Sequence, residues 1–351
     1  MIMTIRNYFR LLAEDQPYCT RSALFWRPCL SLAAFFYRIG RDLHKALFNT
    51  GILKRGKFKE PVVSVGNLVW GGAGKTPLVD YLARFFAENK KTPLILARGY
   101  GNDESRELRG KLPKARFGFG KNRFKVGQAE LKKHRAHVVL LDDGFQHWAV
   151  ERDLDIVAVN ALNPFGSGHI IPRGILREPI EALKRARVIV LTDVNLVSRK
   201  EVDELRARIL KVAPHVTFTE AFHEPLYFYR AGTKDRIHLD RVQGARVTAF
   251  SGIGTPRSFQ VLLNRLGLKT VRNFEYPDHH KFSESELKEI RDMKTISESK
   301  EVVTTEKDFY RCQERMTKIV RPLILKVRLT FSQGETELQD MLSKLVKIET
   351  N

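Results

Sequence analysis

The stretch that most limits the folds open to this chain is Asn67–Leu82, NLVWGGAGKTPLVDYL. Before it stands PVVSV, a short β-branched run bounded by Pro61 and Gly66, which reads as a buried strand. After it, Leu78, Leu82 and Phe85/Phe86 fall at helical spacing, and Pro77 sits just inside that helix, where its missing N–H costs nothing. A strand, a glycine-rich turn and a helix in that order make a phosphate cradle. Gly71, Gly72, Ala73 and Gly74 bring backbone N–H groups around phosphate oxygens, and the helix start adds positive potential. Lys75 then reaches the β/γ-phosphates of a nucleotide and Thr76 offers its hydroxyl to Mg²⁺. The strict spacing G-x-x-x-x-G-K-[ST] wants a glycine where Val69 stands. The loop is therefore a variant, and Gly66, Asn67 and Gly71 are expected to supply the flexibility that Val69 does not. Such a loop needs a carboxylate at the end of a second buried strand to hold the metal. HVVLLDDGFQH supplies Asp142 and Asp143, adjacent acids that repel each other unless a cation stands near.

Strand-like runs at Val62–Val65, Leu94–Ala97, Val138–Leu141, Leu154–Val159 and Val188–Leu191 alternate with helical patterns at Thr76–Asn89, Phe124–His134, Ile180–Ala186 and roughly 199–212. That alternation predicts an α/β fold: a P-loop NTPase-like, doubly wound parallel sheet. At 351 residues, about two domains are expected. VTFTEAFHEPLYFYRAG has the alternation of extended linking strands, and ARVTAFSGIGTPRSF starts a second, smaller α/β unit that ends in a helix from Glu335. The expected division is 1–55 for an N-terminal helical segment, 56–221 for the loop-bearing core, 222–243 for a β linker and 244–351 for the C-terminal domain.

The net charge of +21 and a pI near 10.0 imply an anionic partner: nucleic acid, acidic lipid or a phosphorylated substrate. No RNA-binding aromatic motif or helix-turn-helix pattern is present, so nucleic acid is not expected. RPCLSLAAFFYRIGRDLHKALF favours lipid. Pro28 is expected to open a helix in which Leu32, Phe35, Phe36, Ile39, Leu43 and Leu47 share one face and Arg38, Arg41 and Lys45 the other. Its apolar run, Cys29 to Tyr37, falls far short of the roughly 20 residues of a span, so it suits a membrane interface rather than a crossing. An ordinary amphipathic helix packed on a domain has the same pattern. Cys19, Cys29 and Cys312 form neither a zinc pattern nor a disulfide framework, and no signal peptide is seen; a reducing cytosol is expected.

Four further polar clusters sit at turns: RGYGNDE, NPFGSGHIIPRGILREP, YPDHHKF and TTEKD. For the Asp278-His279-His280 turn alone, a catalytic histidine, a metal site and a plain polar turn stay open. Together with VGNLVWGGAGKTP, LDDGFQH and SGIGTPRSF, and in this order, the clusters resemble the tetraacyldisaccharide 4′-kinase family over residues 20 to 330. In that family the loop has the form G-N-x-x-x-G-G-x-G-K-T-P, which accounts for Val69. The resemblance implies a monomeric lipid kinase on the cytoplasmic face of a bacterial inner membrane. It would use ATP and Mg²⁺ to phosphorylate the 4′-hydroxyl of an acylated disaccharide 1-phosphate, held on an anionic membrane surface. It also implies Lys75 and Arg177 at phosphate, and Thr76, Asp142, Asp143 and Glu178 near metal. His279 would be paired with an aspartate as the base. That aspartate belongs to a G-D-E motif. Here the chain runs RGYGNDESRELRGK, the intervening segment is missing, and Asn102 replaces the glycine, so the assignment goes to Asp103. The rival class is a P-loop switch or metallochaperone-type NTPase, for which LTDVN is a degraded guanine motif lacking its Asn-Lys.

Overall fold

The computed structural model describes residues 22–99, 112, 114–233 and 235–347. Asp103 lies outside them. Two compact units emerge among these residues: 22–99, 112, 114–221 and 331–347 form the first, and 222–233 and 235–330 the second.

The first unit holds β1 (Val62–Gly66), α2 (Lys75–Glu88), β2 (Pro93–Ala97), β3 (Arg116–Phe119), α3 (Arg123–Lys133), β4 (Val138–Asp142), β5 (Leu154–Asn160), β6 (Val188–Thr192), α4 (Arg199–Leu210) and the start of β7 (Thr217–Arg230). The long helix α1 (Ser22–Asn49) precedes them. The strand order β7-β6-β5-β1-β4-β2-β3 is parallel throughout. β1, β4, β5 and β6 are apolar at nearly every position because helices cover both faces of such a sheet. β1 lies between β4 and β5, so the chain order reverses beside it. Ligands bind at the carboxyl ends of strands at such a switch point. The glycine loop follows β1, Asp142 ends β4, Asn160 ends β5 and Thr192 ends β6.

Three expectations change in this unit. Pro28 lies inside α1 rather than opening it; a proline there removes one backbone bond and the helix continues past it. Residues Ile180–Arg185 form a 3₁₀ helix (Ile180–Arg185), held between Pro179 and the extended backbone of Ala186. The terminal helix α9 (Glu335–Val346) belongs to the first unit, not the second. Its Glu335 accepts a hydrogen bond from the Tyr81 hydroxyl at 2.7 Å, Gln339 donates to the same hydroxyl at 2.8 Å, and Phe331 meets the Tyr81 ring.

Helix α1 turns its apolar side outward. Phe35 (57% exposed), Phe36 (63%), Leu32, Ile39 and Leu43 face away from the protein. Arg41 is the side chain turned in, donating to the Arg177 carbonyl at 3.5 Å, and Lys45 lies over the Trp148 ring at 5.3 Å. No helix among the described residues is long and apolar enough to cross a membrane.

The second unit contains the rest of β7, then β8 (Arg236–Ile237), β9 (Arg246–Ser251), α5 (Pro256–Arg265), β10 (Lys269–Glu275), α6 (Glu284–Ile296), β11 (Glu301–Thr305), α7 (Glu306–Arg311), α8 (Gln313–Ile319) and most of β12 (Leu323–Gln333). The order is β10-β9-β11-β12-β7, with β8 on β7, and β9 is parallel to both neighbours. Alternation along the strands feeds two cores. Val247, Ala249, Val303, Leu323 and Leu325 meet Phe259, Leu262 and Leu263 of α5. Phe250, Val302 and Ile324 meet Leu287 and Ile290 of α6 and Phe309 and Met316 of α7 and α8. Residues 222–243, expected as a linker, belong to this unit, since Phe228 and Val242 join the first of these cores.

Candidate active site

At the end of β1 the chain turns through Gly71 and Gly74, whose φ values of 128° and 79° are open to glycine and strained for other residues. Gly74 caps α2, and a Cβ there would also come within 3.1 Å of Thr192. Lys75 and Thr76 thus open the helix, with its N–H groups directed at the loop. Two strand ends brace the loop from behind. Asn160 Nδ2 donates to the Gly72 carbonyl at 3.3 Å, and Thr192 Oγ1 to the Ala73 carbonyl at 3.2 Å.

Asn67 does not supply flexibility. It is fully buried, its Oδ1 accepts from Lys75 Nζ at 3.0 Å, and its Nδ2 donates to the Gly71 carbonyl at 3.3 Å. A second segment is zipped to the loop: Trp70 N donates to Ile175 O and Arg177 N to Leu68 O, both at 2.7 Å. That backbone pairing delivers Arg177 to the acid pair.

Asp143, held at φ 52°, accepts from Arg177 Nη1 through both oxygens at 2.8 Å and pairs with Lys75 Nζ at 3.3 Å. Burial alone would raise its carboxyl, but Lys75 and Arg177 overcome this and hold it far below the usual carboxylate range. The Lys75 ammonium is pushed down by burial, and Asp143 opposes that shift. Asp142 is displaced the other way, upward, by burial and by Asp143, against Lys75 and Arg123. The two neighbouring carboxyls are thus pushed in opposite directions, Asp143 down by its cations and Asp142 up chiefly by burial. Glu178, 2% exposed, has both oxygens on Arg185, at 2.9 and 3.0 Å, and accepts from Gln146 Nε2 at 3.0 Å. Arg185 also stacks on Phe145 and Trp148. Beside Arg177, a cavity of about 390 Å³ is lined by Tyr37, Arg41, His44, Gln146, Trp148 and Glu178 among others.

In the second unit, His279 stands at φ 62° in the turn before α6. Its N–H donates to Asp278 Oδ1 at 2.9 Å, and its Nδ1 lies 3.3 Å from Arg311 Nη2. His280 stacks on Tyr276 and bonds both oxygens of Glu286 at 3.0 Å. The TTEKD stretch forms the end of β11 and the start of α7. There Thr305 caps the helix, and Asp308 accepts from the Gly252 N–H at 3.1 Å.

The model of the family described as Tetraacyldisaccharide-1-P 4′-kinase matches residues 26–112 and 103–347. The chain belongs to the tetraacyldisaccharide 4′-kinase family. Curated relatives include the tetraacyldisaccharide 4′-kinase of Halothermothrix orenii, 32% identical over 87% of each chain. Another is the probable mitochondrial tetraacyldisaccharide 4′-kinase of Arabidopsis thaliana, 33% identical over 82% of this chain and 81% of the relative. Among solved structures, LpxK from Aquifex aeolicus in complex with ATP superposes with a TM-score of 0.68 at 26% identity, covering 92% of this chain and 99% of that one. The two stretches matched by the family model overlap at 103–112.

The structure brings Lys75, Thr76, the acid pair, Arg177 and Glu178 to one end of the first sheet, and places His279 in the second unit. The sequence reading gave no role to Gln146, Asn160 or Arg311, and gave Asn67 the wrong one. Asn160 and Thr192 were open to discovery as polar residues ending buried strands. Asp193, in LTDVN, decides against a guanine reader. It is 3% exposed, and its Oδ2 accepts from Asn160 Nδ2 at 2.7 Å, so its carboxylate is committed inside the protein.

Two stability predictions arise here. Arg185→Ala leaves the buried Glu178 carboxylate without its guanidinium, and thermal or urea unfolding should show a loss of about 3–5 kcal/mol. A loss below about 1 kcal/mol, the range of exposed pairs, would show that the pair does not anchor the segment. The second concerns His147, pushed down to about 4 by burial, with Arg123, Arg152 and Arg98 adding to the shift. Unfolded, it returns to 6.5. Between those values the unfolded chain binds the extra proton, so this contribution is fully present above 6.5 and is lost as pH falls toward 4. Melting temperature should therefore drop over that window, and His147→Gln should flatten the drop; parallel profiles would exclude His147 as the source.

Proposed function

We infer that this chain is an ATP-dependent kinase that phosphorylates the 4′-hydroxyl of a tetraacyldisaccharide 1-phosphate, a lipid A precursor. The observation that carries this reading is the Lys75–Asp143–Arg177 cluster at the mouth of a glycine loop, in a chain of this family. Two cations converge on one carboxylate there. Triphosphate oxygens entering the loop would take over part of that positive charge, and Lys75 and Arg177 would neutralise the transferring phosphoryl group.

The residues fit Mg²⁺. Among the described residues no cluster of three or more His, Cys, Asp or Glu could enclose a metal alone. Mg²⁺ needs none, since it binds through one or two carboxylates plus phosphates and water. Thr76, Asp142 and Asp143 would hold it, and a cation there would oppose the burial and the Asp143 repulsion that push the Asp142 carboxyl up. Bound there, Mg²⁺ would neutralise charge on the β/γ-phosphates. Glu178, which the family pattern puts near metal, is here engaged by Arg185 and Gln146, and we assign it to holding Arg177's segment in place. Asp103 and His279 would handle the proton of the sugar hydroxyl. That hydroxyl is a far weaker acid than either, so proton removal would be concerted with transfer.

The exposed apolar side of α1 supports peripheral binding at the cytoplasmic face of an inner membrane. An ordinary packed helix would bury Phe35 and Phe36, and this one buries its Arg41 instead. The cavity between α1 and Arg177 suits a sugar phosphate whose acyl chains remain in lipid. Phe35→Ser with Phe36→Ser should weaken co-sedimentation with vesicles through lost apolar burial while the protein stays folded. Arg38→Glu should weaken it most on anionic vesicles. Unchanged sedimentation of a folded Ser double variant would exclude α1 as the anchor. The function itself is tested by transfer of ³²P from γ-labelled ATP to tetraacyldisaccharide 1-phosphate, with the product analysed for a 4′-phosphate. Labelling of protein or water alone would refute it.

A further inference from the structure

Arg311 ends α7 and is 4% exposed at its side chain. Among the described residues its guanidinium makes four contacts within the second unit. Nη1 donates to the Gly252 carbonyl at 2.7 Å and to Asp308 Oδ1 at 3.1 Å. Nη2 lies 3.5 Å from Asp278 Oδ1 and 3.3 Å from His279 Nδ1. Asp308 is itself fixed by the Gly252 N–H and by the Thr305 hydroxyl at 2.7 Å. The guanidinium is thus anchored on one side by the end of β9 and the start of α7. Its other edge is presented to the Asp278-His279 turn. That turn is held from two further directions. Lys307 Nζ meets Asp278 Oδ1 at 3.2 Å, and Glu286, which closes the capping box of α6, grips His280.

A guanidinium has donors only. For Arg311 and His279 to bond, Nδ1 must be the acceptor. A ring protonated on Nδ1, as the other neutral tautomer or as imidazolium, would set two donors against each other at that contact. We propose that Arg311 is a positioning residue that pins the tautomer of His279: it donates to Nδ1, so the neutral ring carries its proton on Nε2. In solution the two neutral tautomers of histidine exchange, and the partner of one nitrogen decides the state of the other. His279 also sits in left-handed backbone, a conformation that persists only where its surroundings impose it. The same arginine, through Asp278, helps impose it. Nε2 lies 3.6 Å from Asp278 Oδ2, so the carboxylate that Arg311 and Lys307 hold favours the same tautomer from the other side of the ring, and the turn and the ring are fixed together.

The catalytic consequence rests on the kinase reading; the tautomer does not. The full chain is labelled with ¹⁵N-histidine, and His279→Gln identifies the signals of His279. Without any substrate, the wild-type ring should show a non-protonated Nδ1 and a protonated Nε2. In Arg311→Met the two signals should move to averaged positions. With substrates, kcat of that variant should fall about tenfold or more, within the range of lost acid–base assistance. KM for ATP should stay within roughly twofold, as expected when only the transition state is affected. Arg311→Lys, still a donor, should keep the wild-type pattern. A protonated Nδ1 in the wild type, or an unchanged tautomer in folded Arg311→Met, overturns the assignment. Should Arg311→Met not fold, the wild-type and Arg311→Lys spectra decide it. A pinned tautomer in a protein that transfers no phosphate to lipid would refute the kinase reading and leave the assignment of Arg311 standing.

Discussion

Lys75→Ala should lower turnover about 10²–10³-fold, equivalent to about 3–4 kcal/mol of transition-state stabilisation, while leaving the fold intact. The size follows from what is lost. Lys75 is a point charge at the N-terminus of α2, and the phosphoryl group in flight is stabilised almost entirely by position and charge. The loop's amides and Arg177 would remain, so activity should not fall to the uncatalysed level. The fold should survive because Lys75's partners keep other bonds. Asp143 retains Arg177 through both oxygens, and Asn67 retains Gly71. The measurement is ³²P transfer at saturating lipid beside a thermal melt. Full lipid phosphorylation by a folded Lys75→Ala protein would remove the loop from the mechanism.

How much of this was legible in the sequence depended on the distance over which each contact acts. The cradle was legible because strand, glycines, lysine and helix are contiguous, and β1, β4, β5 and β6 because burial on both faces forces unbroken apolar runs. β3 and β10 were not. RFGF and KTVRNFE sit at the ends of the strand orders, half exposed, and their charged residues mask any apolar pattern. The order β10-β9-β11-β12 could not be read either, since no local residue encodes which parallel strand lies beside which. The same limit hid the supporting polar groups. Gln146 bridges Asn67 and Glu178, and Arg311 reaches Gly252, across spans of chain that no motif spacing records. The side of α1 turned to solvent was undecidable from its periodicity, because a helix packed on a domain and one laid on lipid have the same stripe. The contacts of Arg41 and Lys45 show which side turns inward.

Asp103→Ala and His279→Ala should each lower kcat by about 10²–10⁴-fold, the usual worth of a positioned proton-transfer group. The double variant should be little worse than the worse single one, because residues that act as one unit are not additive. The Kd for ATP should barely change in any of them, since the triphosphate would be held by the loop from Gly71 to Thr76 and neither residue belongs to it. Asp103 carries this prediction on the family pattern alone, and the chain is short there: Asn102 stands where the family has glycine, and Glu104 and Glu107 lie close by. A shift of register by one or four residues would hand the role to one of them. Glu104→Gln and Glu107→Gln are therefore the necessary controls, because each removes a charge and keeps the shape. If Asp103→Ala keeps near-normal kcat while one of these collapses it, the carboxylate has been placed wrongly and the kinase assignment stands. If all four single variants turn over at the wild-type rate, no carboxylate–histidine pair takes the proton. The hydroxyl would then lose it only as the phosphoryl group arrives, and the protein would contribute through phosphate and metal binding alone.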